Sequence, residues 1–270
     1  AYAVSRDNLG EDAALTAASS LLIDYVLTVA VSVVAGVAAI TSAVPGLAPH
    51  AVALSLAFTV FLAVMNLRGV KESGRAFAVP TYGFVAVILV MLAVGFVKVA
   101  FGGGITASSA QYDLAPAAKT GGVLTVFLAL RAFASGCTAL TGVEAVSNGV
   151  PAFRRPKSRN AAMTLSMMGL LAVVMFAGIT ALAMAANVHM AENTSQLIGF
   201  PAGAAQPTAL SQIAEATFGT SLMYFLVQGF TAAILILAAN TAFNGFPVLA
   251  SILGRDGYLP RQFANRGDRL

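Results

Sequence analysis

The sequence predicts an all-α polytopic membrane protein, and three observations carry that reading. Of its 270 residues 58% are hydrophobic and only 10% charged, with a mean hydropathy of +0.84. Several apolar runs reach or exceed the roughly 20 residues that cross a bilayer. The basic residues fall in short clusters between those runs, the pattern that sets membrane orientation. The formal charge of +4 therefore encodes topology, and a nucleic-acid partner is not expected. A lone cysteine, Cys137, excludes an intramolecular disulfide, and His50 and His189 lie in separate loops without metal-ligand spacing. No metal centre and no cofactor are expected.

Taken in order, the first span covers about 13–43, longer than one crossing requires and so expected to tilt. The polar lead-in AYAVSRDNLGED and the polar end 255–270 read as loops between spans, so further spans are expected on both sides. A turn at Pro45, Gly46 and Pro49 leads to a second span at 52–67. The third, 79–101, carries Pro80 in its expected first turn, where a missing amide costs least. A fourth segment, 121–150, is apolar but broken; a fifth, 161–188, is continuous and Met-rich; a sixth covers 220–253 with Asn240, Thr241 and Asn244 in its second half. The connection 189–212 reads as one long loop without Lys or Arg.

Basic residues alternate strictly between the loops. Arg6, three in 68–75, four in 154–159 and four in 255–269 lie on one face, against Lys98 and Lys119 on the other. The first face is cytoplasmic by the positive-inside rule, which gives six crossings, both ends of the chain in the cytoplasm and a multi-pass protein of the cell membrane.

The chemistry concentrates in the fourth segment. In RAFASGCTALTGVEAVSNGV, Gly136 and Gly142 bracket the hydroxyl-rich CTALT, and Glu144 follows. Unpaired backbone at membrane depth is tolerated only beside protein or a water-filled cavity, so a Gly-interrupted span points to a substrate site. Helical geometry puts Thr141, Glu144 and Asn148 within a roughly 60° arc. A carboxylate inside a span costs roughly 2.5 to 3.5 kcal/mol on insertion scales, which something must offset. Glu144 has two readings: a carboxylate that exchanges a proton for substrate, or an interfacial residue a few positions before Pro151.

On the first span Asp24, Tyr25, Thr28 and Ser32 share a roughly 100° arc. They line a polar cavity, or else make ordinary interhelical hydrogen bonds. Asp24 and Arg131, the deepest charges in apolar sequence, are expected to form a structural ion pair or to serve transport. With Thr138 and the free carbonyls of the break, these oxygens suit a dehydrated hard cation or a small zwitterion. The lipid bilayer is the remaining partner. An intramembrane enzyme lacks a histidine near a nucleophile, and a passive channel would leave the titratable Glu144 without a use.

ALTGVEAVSNGVP, flanked by FRRPKSRNA, resembles the sixth span of the amino acid, polyamine and organocation (APC) superfamily, and GRDGYLPRQF resembles the loop after its eighth. SSLLIDYVLTVAVSVVAG and AANTAFNGFP look most like the bacterial potassium importers of the KUP branch. The resemblance implies a partial LeuT-type inverted-repeat fold, with this chain holding spans three to eight, and a secondary transporter without enzymatic activity. It implies potassium bound near Tyr25, Thr28, Ser32, Thr141 and Glu144, proton coupling through Glu144, and potassium and protons as partners. Proton-coupled uptake of a small amino acid is the alternative, and a homodimer is compatible with either.

Overall fold

The computed structural model describes residues 2–68, 74–115, 123–137, 150, 153–191, 193–201 and 203–264. Its long helices are α2 (Glu11–Ala43), α3 (Ala51–Leu67), α4 (Gly74–Ala100), α6 (Lys157–Ala185) and α8 (Leu222–Arg255). Shorter ones are α1 (Tyr2–Leu9), α5 (Val123–Cys137) and α7 (Ala209–Phe218). Among the described residues, five helical segments are long and apolar enough to cross a membrane: Glu11–Ala43, Pro45–Leu67, Phe77–Ala100, Lys157–Ala185 and Leu222–Arg255. Large apolar side chains such as Val31, Val60, Phe61 and Phe176 are exposed on them, as lipid-facing surface requires.

The helix boundaries follow local chemistry. α2 starts at Gly10, whose φ of 93° suits only glycine well, and Glu11 and Asp12 in its first turn complement the macrodipole. Its 33 residues would reach about 50 Å at 1.5 Å per residue, so it tilts or extends beyond the hydrocarbon. Pro45 opens a short 3-10 segment, Pro45–His50, that feeds α3. α4 begins at Gly74 rather than near Val79, so Pro80 stands inside the helix and not in its first turn.

Two α-helices form in stretches that the sequence marks as loop: α1 lies in the polar lead-in, and α7 begins inside the 189–212 connection and runs on to Phe218. Thr208 caps α7 by accepting from the Ser211 amide, and Gly219 closes it at φ 63°. Its buried face is mostly polar, with Ser211, Gln212 and Thr217 beside Ile213 and Ala214, so no apolar stripe announces it. Tyr224 of α8 holds α7 in place: its hydroxyl lies 2.9 Å from Ser211 Oγ and 2.9 Å from the Ser42 carbonyl oxygen.

The helices meet through glycine notches. Gly95 of α4 receives Leu182 of α6, and Gly178 of α6 receives Leu92 of α4; a Cβ at either site would lie 2.7 Å or 2.6 Å from a leucine methyl. Leu92 and Leu182 belong to the main buried cluster with Ile88, Met91, Ile213 and Val227. α2 lies along α8, with Gly36 against Ala232 and Leu235.

Contacts join two pairs of connecting segments. Asp113–Leu114 pairs antiparallel with Leu197–Ile198, joining the α4–α5 connection to the long connection after α6. At the opposite end of α2 and α8, Tyr2, Arg6 and Glu11 meet Asp256 and Tyr258.

Candidate functional site: a polar face on α2

Tyr25, Thr28 and Ser32 recur at helical spacing along α2, and burial is greatest at Ser32. Tyr25 and Thr28 are half-buried, while Ser32 is 9% exposed. The Tyr25 ring packs on Gly245 of α8, where a Cβ would sit 2.8 Å from Cε1 and Cζ. It also leans on the small cluster of Ala14, Ala18, Leu249 and Leu253. Beside Ser32, Val33 packs with Leu62 of α3 and Ala239 of α8. The hydroxyls therefore stand on a helix gripped by two neighbours. Such a seat keeps the hydroxyl oxygens in fixed places.

A second polar layer crosses from α3 to α8. Asn66 Nδ2 donates to Asn240 Oδ1 at 2.7 Å and to its own helix at the Leu62 carbonyl, 2.8 Å. Asn244 Nδ2 donates to the Asn240 carbonyl at 3.3 Å, and Thr241 Oγ1 to that of Leu237 at 3.1 Å. Asn240, Thr241 and Asn244 stand out in the sequence, whereas Asn66, two residues before Arg68 at the end of its apolar run, does not. Its only signal was an amide placed within a turn of apolar residues.

Asp24, adjacent on the same helix, is exposed, and so is Arg131 on α5. No ion pair joins Asp24 to Arg131 among the described residues. Cys137 is exposed at the last position of α5. Thr138, Thr141, Glu144 and Asn148, and with them the expected break, lie outside the described residues.

At the polar end of α2 and α8 the charges are explicit. Asp256 Oδ2 accepts from Tyr2 Oη and from Arg6 Nη1, each at 2.7 Å. Burial and then the neighbouring Asp256 push the Tyr2 hydroxyl above its usual pKa. Tyr258 donates to Glu11, and that bond pushes its pKa up to about 12. These contacts tie α1 and the start of α2 to the GRDGYLP loop, so the α2 polar face is anchored to α8 at its end as well as at Gly245.

A family model for amino acid permeases matches residues 1–269. The chain belongs to the amino acid permease family. This bears out the APC superfamily resemblance drawn from the broken segment and from GRDGYLPRQF, and with it an all-α polytopic membrane fold and a family of transporters rather than enzymes. A curated relative, "Potassium transporter KimA" of Bacillus subtilis (strain 168), is 46% identical over 270 residues. That alignment covers all of this chain and 42% of the relative.

Proposed function

We propose that the full-length protein is a secondary active transporter that takes up potassium with protons. The observation that carries this reading is the 46% identity to the potassium transporter along the whole of this chain. The half-buried hydroxyls of α2 agree with it, because a dehydrated cation wants several fixed oxygens and little else. In this reading Tyr25, Thr28 and Ser32 supply oxygens from α2. Thr138, Thr141 and Glu144 supply them from the broken segment, and Glu144 carries the coupled proton. The rest of the site comes from parts of the protein beyond this chain.

The basic-rich loops face the cytoplasm of the cell in this proposal, and 189–212 faces outward. Cysteines introduced singly into those loops and probed with an impermeant thiol reagent test the orientation; labelling at position 157 from outside intact cells contradicts it.

Uptake of a small amino acid is the second reading, favoured by the description of the family model itself. Expression of the full-length protein in a cell lacking its own potassium uptake separates the two. Growth restored at low potassium supports the first reading; accumulation of labelled amino acid without such growth supports the second.

A further inference from the structure

We infer that the segment 153–159 and the lipid-facing side of α6 form a binding site for an anionic phospholipid. Arg154, Arg155 and Arg159 are all exposed, and no ion pair reaches any of the three among the described residues. The segment bearing them is tied down: Asn160 Nδ2 donates to the Arg154 carbonyl at 2.9 Å, and the Asn160 amide to that of Pro156 at 3.1 Å. The backbone bearing the three arginines is thus held at the start of a helix that is itself apolar enough to cross a membrane.

The surface below completes the site. Arg159, Met163, Met167 and Leu170 fall within a roughly 80° arc of α6, and the three apolar residues are 65%, 60% and 66% exposed. A guanidinium therefore stands at the end of an uncovered apolar stripe, with two more beside it. Phosphate oxygens on the arginines with acyl chains along the methionines satisfy both halves at once, whereas a soluble anion uses only the first. Cations just outside a span attract anionic lipid by about fivefold each (~1 kcal/mol). The inference is independent of which solute crosses the membrane.

Native mass spectrometry of the purified full-length protein, titrated with dioleoyl phosphatidylglycerol or dioleoyl phosphatidylcholine, tests it. The wild type should retain the anionic lipid in preference, and glycerol 1-phosphate should not displace it. The triple variant Arg154→Gln, Arg155→Gln, Arg159→Gln should lose most of that preference, while the triple lysine replacement keeps it. Displacement by glycerol 1-phosphate would reduce the site to a soluble-anion site and overturn the lipid assignment. Equal retention of the two lipids by the wild type, or an unchanged preference in the glutamine variant, would overturn the site altogether. Should the glutamine variant not fold, the salt dependence of the wild type decides: a preference insensitive to ionic strength contradicts the assignment.

Discussion

The phenol of Tyr25 rests on Gly245, so closely that a Cβ there would lie 2.8 Å from two ring carbons. One helix thus sets the position of an oxygen that belongs to another. Gly245→Ala should displace the ring, because a side-chain end yields more readily than two packed backbones. The expected result in the full-length protein is a roughly three- to tenfold higher KM for rubidium, on the scale of ~0.7–1.4 kcal/mol, with little change in thermal stability. An unchanged KM would show that Tyr25 takes no part in binding.

The paired notches of α4 and α6 behave differently. Alanine at Gly95 or Gly178 meets a leucine buried among other core residues, where overpacking costs about 1–3 kcal/mol. Each variant should lower the melting temperature in detergent. The double variant should be close to additive only if the two notches relax independently; their shared α4–α6 contact argues for a smaller loss than the sum.

Asn66 and Asn240 are bonded across helices at 2.7 Å. A double-mutant cycle with alanine should give a coupling of roughly 0.6 kcal/mol and no more than about 1.7, the range for such bonds between membrane helices. Zero coupling, read from thermal unfolding of the four proteins, would mean the amides do not meet.

Tyr258 supplies a pH prediction. Its folded pKa, about 12, is above the ordinary value of 10.0, so the folded state holds the proton more tightly. The stability from this bond is complete below pH 10 and is lost as pH rises through about 12. The melting-temperature difference between wild type and Tyr258→Phe should be constant below pH 10 and close within that window. A difference that persists to the top of the window contradicts the Glu11 contact.

The long helices were legible because their signal is sheer apolar length: the apolar runs 13–43 and 52–67 are helical over Glu11–Ala43 and Ala51–Leu67. α1 and α7 were not, because each is held by distant partners rather than by its own pattern. Tyr2 needs Asp256, and Ser211 needs Tyr224. The α2 face was legible as a spacing of Tyr25, Thr28 and Ser32. Its seating was not, since a glycine gives no sign of the ring it will accept, and Asn66 gives none of Asn240. Proline misled once, at Pro80, where the helix extends upstream through Gly74.

Proton-coupled uptake of potassium is tested most directly by rubidium uptake into proteoliposomes of the full-length protein, with and without an imposed pH gradient. Wild type should respond to the gradient. Thr28→Val should weaken affinity while remaining gradient-dependent, and Glu144→Gln should insert and fold yet lose the dependence on the gradient. Gradient-driven uptake by Glu144→Gln at the wild-type rate would contradict the coupling role, and failure of the wild type to take up rubidium under any gradient would contradict the potassium assignment itself.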